Sequence, residues 1–407
     1  MKFGLTIDTF KSYAPLIVEQ VEDYIKKSKF FKGSSGQVPL GEIIPEVTIF
    51  TASRSLQGKE VRDALDGSFA KLYHDLDHGF NPMNFLFPWF PFPGNKRRDA
   101  AQRKMARFYM TLITKRRSDP DAATREKDMI WNLMDRSYKD GTPISDREVA
   151  HMMIALLMAG QHTSMATTTW ALLHLAEKPE VVRALYAEQQ AVCGVPLRPL
   201  AYDDLARMPL LNNVISEVLR MHPPIHSIIR KVKAPICLNE SAFVIPAGYH
   251  LLAAPGASAM DEQFFANPAE FNPDRWNDMD DADADGGTDK FDFGFGLVSK
   301  GTASPYLPFG AGRHRCIGEQ FAKVQLGSIL ATFVREFELS LPGDGRVPGP
   351  DYTVSVPVPK RPVVSGELLT LLQKVDDYPS NLPRRCKLEE AFVDLVLVWF
   401  GLVLLLF

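Results

Sequence analysis

The sequence is poor in cysteine: Cys193, Cys237, Cys316 and Cys386 lie far apart, and none belongs to a Cys-x-x-Cys pair. This spacing excludes a disulfide framework and a four-cysteine zinc site, and free thiols are typical of a protein that faces the cytosol. The chain of 407 residues also has no basic excess, because its 46 Lys and Arg residues stand against 49 Asp and Glu residues. No nucleic-acid partner is therefore expected, since such a partner requires a clustered positive surface.

Long apolar runs are scarce as well. The N-terminus has no apolar stretch with a small-residue cleavage site, so no signal peptide is predicted. The most apolar run, at residues 395–407, is shorter than the roughly 20 residues that span a bilayer. It is either a marginal tail anchor or a segment that does not belong to the fold.

Helical periodicity dominates the rest of the chain. The pattern predicts one long apolar helix over residues 146–176, which begins at the capping box formed by Ser145 and Glu148. Such a helix is expected to cross the protein centre, because no amphipathic surface position would suit it. Short strands are predicted at residues 242–252 and a last helix at 319–337. The predicted fold class is mainly α with a minor β part.

The strongest chemical signal is the glycine-rich stretch FGAGRHRCIG at residues 309–318. Cys316 stands just before a helix start, where the helix dipole and the flanking Arg313 and Arg315 are expected to lower the pKa of its thiol. A dinucleotide fingerprint is excluded because Arg315 stands where G-x-G-x-x-G requires glycine. A zinc or iron–sulfur site would need more cysteines nearby. A structural cysteine is one alternative, and a single thiolate held against a large flat cofactor fits a haem-iron ligand.

This loop resembles the haem-binding loop F-x-x-G-x-x-x-C-x-G of the cytochrome P-450 family. Three further stretches are similar to family motifs in order and spacing: residues 159–164 (AGQHTS) to the oxygen-activation motif, Glu217-x-x-Arg220 to the E-x-x-R pair, and residues 271–276 (FNPDRW) to the segment that completes the ion-pair network. The resemblance implies the P-450 fold. It also implies haem b (iron protoporphyrin IX) with Cys316 as the metal ligand, and electrons from NADPH through NADPH–cytochrome P-450 reductase.

The same resemblance implies individual residue roles. Thr163 is expected to donate a hydrogen bond to dioxygen, with His162 in the proton path and a local bulge at Gly160; the alternative is a threonine that bonds back to its own helix. Glu217 and Arg220 share a helix face, and a buried pair of this kind must be fully bonded. The residues expected to bind the cofactor are Cys316, His314, Phe309, Gly310, Gly312 and Arg230, and those expected in the structural ion-pair network are Glu217, Arg220 and Arg275.

Within the family, residues 75–84 (DLDHGFNPMN), 161–163 (QHT) and 295–301 look like those of fungal sterol 14α-demethylases. That likeness implies a sterol such as lanosterol or eburicol as substrate, in ergosterol biosynthesis at the cytosolic face of the endoplasmic reticulum membrane. Three successive oxidations with dioxygen and NADPH-derived electrons would release the 14α-methyl group as formate. The residues expected to line the pocket are Phe80, Ile154, Met158, Ala159, Thr163, His226, Ser227 and Ile229.

The resemblance assigns residues 1–360 to a partial, N-terminally truncated haem domain and leaves residues 361–407 as an atypical tail. Two alternatives stay open. The chain is an inactive remnant or the product of an imperfect gene model, or it is a P-450 monooxygenase that acts on another lipid. The reductase is expected to dock near a basic cluster of Arg313, Arg315 and Lys323.

Overall fold

The structure is a computed structural model that describes residues 5–65, 69, 72–73, 75–76, 87, 89–119, 128–238, 243–277, 304–351 and 356–368. The helices are α1 (Ile7–Lys27), α2 (Leu40–Ala52), α3 (Lys59–Ala64), α4 (Pro93–Arg117), α5 (Met129–Met134), α6 (Asp146–Glu177), α7 (Pro179–Cys193), α8 (Tyr202–Leu205), α9 (Pro209–Met221), α10 (Pro255–Ser258) and α11 (Glu319–Glu336). The strands are β1 (Ser35–Pro39), β2 (Ile228–Lys231), β3 (Ile236–Cys237), β4 (Val244–Ile245), β5 (His250–Ala253), β6 (Phe337–Ser340), β7 (Pro350–Asp351), β8 (Val358–Pro359) and β9 (Val363–Leu368). The predicted fold class, mainly α with a minor β part, is confirmed.

Helix α6 is the long apolar helix that the sequence predicts. Its capping box is present: the Ser145 hydroxyl accepts from the Glu148 N–H at 3.3 Å, and the Glu148 carboxylate accepts from the Ser145 N–H at 2.8 Å. Its C-terminal half is almost wholly buried, and the helix packs on α2, α4, α9 and α11. Because α6 is surrounded in this way, it sets the position of the elements that carry the candidate site.

The β part consists of one three-stranded sheet and three two-stranded pairs among the described residues. In the larger sheet β9 lies between β1 and β6, with Val38 opposite Val364 and Leu339 opposite Gly366. The first unit of the chain spans residues 1–369 and so continues past residue 360, because β9 belongs to this sheet. The strands predicted at 242–252 are β4 and β5, and each pairs with an earlier strand: β4 with β3, and β5 with β2.

None of the described helices is both long and apolar enough to cross a membrane. The apolar run at residues 395–407 lies outside the described residues, so the prediction of a tail anchor stays a prediction.

Candidate active site

The loop that carries Cys316 is closed by its own backbone. The Gly310 N–H donates to the Leu307 carbonyl at 3.1 Å, and the Cys316 N–H donates to the Phe309 carbonyl at 2.8 Å. Gly310 and Gly312 adopt φ angles of +69° and +62°, a region that side chains other than glycine rarely occupy. The glycines are therefore required by the turn itself, which holds the cysteine directly before α11.

Cys316 is exposed, and the backbone N–H groups of Gly318 and Glu319 act on its sulfur in the direction that lowers the pKa of the thiol. Burial raises the pKa of the Cys316 thiol above its ordinary value, and the negative charge of Glu319 raises it further. The two N–H groups and Arg315 lower that pKa by less. The expectation of a lowered thiol pKa is therefore wrong for the protein alone, because burial outweighs the helix start and the arginine.

The basic cluster predicted around the loop contains an acidic residue at its centre. The Arg315 guanidinium donates to both carboxylate oxygens of Glu319, at 2.7 Å and 2.9 Å. The Lys323 ammonium lies 3.5 Å from the same carboxylate. Much of the expected positive charge is thus neutralised locally. Arg315 lies before the start of α11, so helix spacing in the sequence does not predict this pair.

The structure brings Glu217, Arg220 and Arg275 together in one buried network. Glu217 and Arg220 are both fully buried, and their bidentate pair has two distances of 2.9 Å. Arg275 reaches the same carboxylate at 2.8 Å from its Nε atom. Two more N–H groups of Arg220 donate to the carbonyls of Ala259 and Pro268, each at 2.8 Å, and a third faces the Met260 sulfur at 3.6 Å. The buried ion pair is therefore fully hydrogen-bonded, as an ion pair away from water requires.

A second layer, which the sequence reasoning missed, joins this network to the cysteine loop. The Trp276 indole N–H donates to Glu217 at 3.0 Å, and the Trp276 ring packs on the Tyr306 ring with a centroid separation of 4.7 Å. The Tyr306 hydroxyl donates to the Ser216 carbonyl of α9 at 3.2 Å. Tyr306 begins the segment that leads to Phe309, so the ion-pair network positions the start of the cysteine loop.

On α6, the polar residues 160–163 interrupt the apolar sequence without interrupting the helix. The helix is α-helical throughout, so the bulge expected at Gly160 is absent. The Thr163 hydroxyl donates to the carbonyls of Ala159 at 3.0 Å and Gly160 at 3.3 Å, which is the back-bonded alternative. His162 is half-buried.

No atom outside this turn lies within 4 Å of a Cβ added to Gly160, and the Gln161 Oε1 atom is buried without a hydrogen-bond partner. Open space and an unused acceptor therefore occur together here.

A cavity of about 460 Å³ lies between α4 and α6. Ile154 and Met158, two of the predicted pocket residues, line it together with Leu76, Arg98, Asp99, Gln102 and Arg103. The other predicted pocket residues do not line this cavity: Ala159 and Ile229 are exposed elsewhere, and the His226 ring contacts the Ser227 hydroxyl at 2.8 Å. Phe80 lies outside the described residues.

The remaining candidates for cofactor binding occupy two places. Phe309 packs against the core and His314 is exposed, both in the cysteine loop. Arg230 is exposed in β2, where its guanidinium donates to the Ile229 carbonyl at 3.0 Å. The Arg313 side chain is outside the described part of the chain.

Comparison with known proteins indicates the same family as the sequence motifs do, along most of the chain. The cytochrome P-450 family model matches residues 6–364. The chain is 49% identical over 371 residues to a sterol 14-alpha demethylase of Aspergillus flavus, which covers 90% of the chain and 71% of that relative. It is 48% identical to an eburicol 14-alpha-demethylase of Uncinula necator, with coverage of 90% and 71%. A lanosterol 14-alpha demethylase of Schizosaccharomyces pombe is 50% identical, with coverage of 89% and 72%.

The fold has a solved counterpart at low sequence identity. The structure of a cyanobacterial CYP120A1 with bound retinoic acid matches with a TM-score of 0.73 and 20% identity, covering 90% of this chain and 76% of that one. This likeness concerns the fold alone. With the family match over residues 6–364 and the cysteine loop in place, the chain belongs to the cytochrome P-450 family.

Proposed function

We propose that the protein is a haem-thiolate monooxygenase that removes the 14α-methyl group of a sterol such as lanosterol or eburicol. The observation that carries the proposal is the Cys316 loop, a glycine-closed turn that presents a single exposed thiol just before α11. The choice of a sterol is supported by the names of relatives that are 48% to 50% identical over most of this chain.

The residues present fit a haem group. The family implies this cofactor, and Cys316 offers one sulfur with an exposed edge. Gly310 and Gly312 leave the loop backbone without side chains, and the turn at Gly160 has no atom from another part of the chain within 4 Å of an added Cβ. Cys316 would bind the iron, with Phe309 beside it, and His314 and Arg230 would bind the propionates. When bound, haem supplies the one-electron chemistry that activates dioxygen.

Proton delivery is assigned to Thr163 and His162. The Thr163 hydroxyl holds its proton against the Ala159 carbonyl, so this bond must break before the proton can pass to dioxygen. His162 precedes Thr163 on the same helix and is half-buried, which leaves part of its ring in contact with solvent. The buried Gln161 Oε1 atom offers an acceptor that a water molecule would satisfy.

The sterol is assigned to the cavity between α4 and α6, whose apolar lining residues are Leu76, Ile154 and Met158. Ile154 and Met158 face a cavity of about 460 Å³, within the range of small-molecule sites.

The overall reaction consumes three dioxygen molecules and six electrons. The methyl group becomes an alcohol and then an aldehyde, and the last oxidation releases formate and leaves a ring double bond. Each oxidation takes two electrons and two protons and forms water besides its product.

The electrons are assigned to NADPH and a separate reductase, because the chain carries no flavin or nicotinamide fingerprint.

Membrane association is assigned to an aromatic surface formed by Phe87, Trp89 and Phe90, of which Trp89 is 76% exposed. The basic start of α4, with Lys96 and Arg97, follows it in the chain. Aromatic rings and basic side chains suit the headgroup region of a bilayer such as that of the endoplasmic reticulum. Trp89→Ser should weaken flotation with anionic vesicles, and unchanged flotation would remove this surface from the account.

The function is tested by reconstituting the purified, haem-loaded chain with a reductase and NADPH. Lanosterol and eburicol should yield the 14-demethylated sterol and one formate per turnover, and Cys316→Ala should yield neither. A haem-loaded protein that oxidises another lipid but neither sterol would contradict the substrate, and one that oxidises nothing would contradict the activity.

A further inference from the structure

We propose that Gln57 is a positioning residue for the sterol: its side-chain amide joins α4 to α6 and fixes the spacing of the two walls of the cavity between them. The inference rests on the proposed function, which places the sterol in that cavity. Gln57 does not line the cavity itself, and none of the motifs that indicated the function includes it.

The two helices that Gln57 joins are the two walls of the cavity. On α4, residues 98, 102, 105 and 109 follow the spacing of one helix face, so Tyr109 lies on the face that carries the lining residues Arg98 and Gln102. Tyr109 lies two turns, or about 10 Å, beyond Gln102. On α6, Met153 directly precedes the lining residue Ile154.

The Gln57 amide uses both of its ends on these helices. Its Nε2 atom donates to the Met153 carbonyl at 3.0 Å, and its Oε1 atom accepts from the Tyr109 hydroxyl at 2.6 Å. Both Gln57 and Tyr109 are fully buried. Helices α4 and α6 also pack directly on each other, but apolar packing has no preferred direction, whereas a hydrogen bond requires a defined distance and angle. The amide therefore fixes where one helix lies along the other.

The backbone of Gln57 is held as firmly as its side chain. The residue ends a π-helical turn at Ser53–Gln57, and its carbonyl accepts from Arg116 at 3.4 Å. Arg116 is buried in a bidentate pair with Asp128, at 2.8 Å and 2.7 Å. The next residue, Gly58, has a φ angle of +92°, and a Cβ added there would collide with the Asp128 carboxylate. Gln57 is thus a fixed anchor to which the two helices are attached.

Loss of the amide has a defined consequence for the cavity. The Tyr109 hydroxyl would be left buried without its acceptor, which costs more than the bond itself contributes. The two helices can then shift relative to each other until the hydroxyl finds another partner, and the distance between Gln102 and Ile154 changes with them. A sterol is rigid, so it cannot adapt to a wall that has moved.

The experiment measures the dissociation constant of lanosterol by absorbance titration of the haem-loaded chain. Gln57→Met keeps the approximate size of the side chain and removes both hydrogen bonds. It should weaken lanosterol binding about tenfold, since a displacement of about 1 Å at a site can cost up to about 100-fold. Tyr109→Phe removes only the bond to α4 and should weaken binding by a smaller factor. The double variant should bind no worse than Gln57→Met, because the two residues act through one bridge.

Gln189→Met is the matched control. The Gln189 amide is also buried and joins two helices, α7 and α11: it donates to the Ala331 carbonyl at 3.3 Å and accepts from Arg335 at 2.6 Å. Its loss should lower the unfolding midpoint to a similar extent and leave the affinity for lanosterol unchanged. An affinity in Gln57→Met equal to that of the parent overturns the proposal, and so does an equal loss of affinity in Gln189→Met.

Two outcomes separate this inference from the proposed function. If Gln57→Met does not take up haem, Tyr109→Phe decides: parental affinity, or failure to take up haem, overturns the role of the bridge. If the parent binds lanosterol but Ile154→Trp, which fills the cavity, binds it equally well, the sterol lies elsewhere and both the cavity assignment and this inference are wrong. If Ile154→Trp blocks binding and Gln57→Met does not change it, only the role of Gln57 is wrong.

Discussion

The substitution Glu217→Gln should be among the most damaging single-atom changes in this protein. One Glu217 oxygen accepts from Arg220, Arg275 and the Asn272 N–H, and the other accepts from Arg220 and Trp276. A glutamine amide can place its NH₂ group in only one of these positions, so at least two donors lose their acceptor. At about 1.5–3 kcal/mol for each bond to a charged group, the expected loss is about 3–6 kcal/mol. Removing one partner of a buried pair costs a similar amount, about 3–5 kcal/mol.

The assay is chemical denaturation of the parent and of Glu217→Gln, with Glu188→Gln as the matched control. The Glu188 carboxylate accepts from the N–H groups of Leu210 and Leu211 at 2.7 Å and 3.1 Å, at the start of the same helix α9. The amide there loses one bond between a backbone N–H and the carboxylate, so about 1.5–3 kcal/mol is expected, half of the loss at Glu217. Since domains are stable by only about 5–15 kcal/mol, the two variants should differ clearly. An equal or smaller loss in Glu217→Gln would refute the claim that this network holds the fold.

Two further predictions concern α6 and its neighbours. Gly160→Leu should leave the unfolding midpoint of the haem-free protein unchanged or raise it, because leucine favours a helix over glycine by up to about 1 kcal/mol and no atom from another turn lies within 4 Å of the new Cβ. Haem uptake by the same variant, measured by absorbance titration, should fall sharply, and normal uptake would show that the open space is not the cofactor site. His222 lies 2.9 Å from His174, ring nitrogen to ring nitrogen, and burial first of all lowers its pKa well below the ordinary value of 6.5. His222 therefore binds a proton in the unfolded chain but not in the folded protein. Because of this difference, the free energy of unfolding should fall as the pH drops below about 6.5, by up to about 1.4 kcal/mol per pH unit. Denaturation at several pH values should show a weaker dependence in His222→Gln, and an identical dependence would assign the acid sensitivity to other groups.

The features that the sequence predicted well are those encoded by local spacing. Ser145 and Glu148 define the start of α6, because a capping box needs only residues three apart. Glu217 and Arg220 lie on one helix face for the same reason, and the family motif supplied Arg275 as their distant partner. Within one continuous motif, the spacing of the residues thus predicts their contact directly.

The features that the sequence did not predict depend on three-dimensional surroundings. The pairing of β9 with β1 joins distant parts of the chain, and no local pattern indicates it. The raised pKa of the Cys316 thiol results mainly from burial, whereas the flanking arginines in the sequence indicated a lowered pKa. Thr163 bonds to its own helix, the alternative that the sequence left open, because a hydroxyl in a regular helix finds a carbonyl one turn earlier. Burial and competing partners are properties of the folded chain and not of a motif.

The reduced carbon monoxide spectrum is the measurement that tests the central claim most directly. In the haem-loaded parent, a thiolate ligand from Cys316 should give the red-shifted absorption band that gives the family its name. Cys316→Ala should abolish the band, while Cys237→Ala, which changes an exposed cysteine in β3, should leave it intact. A band that survives in Cys316→Ala, or one that disappears in Cys237→Ala, would contradict the assignment of Cys316 as the ligand.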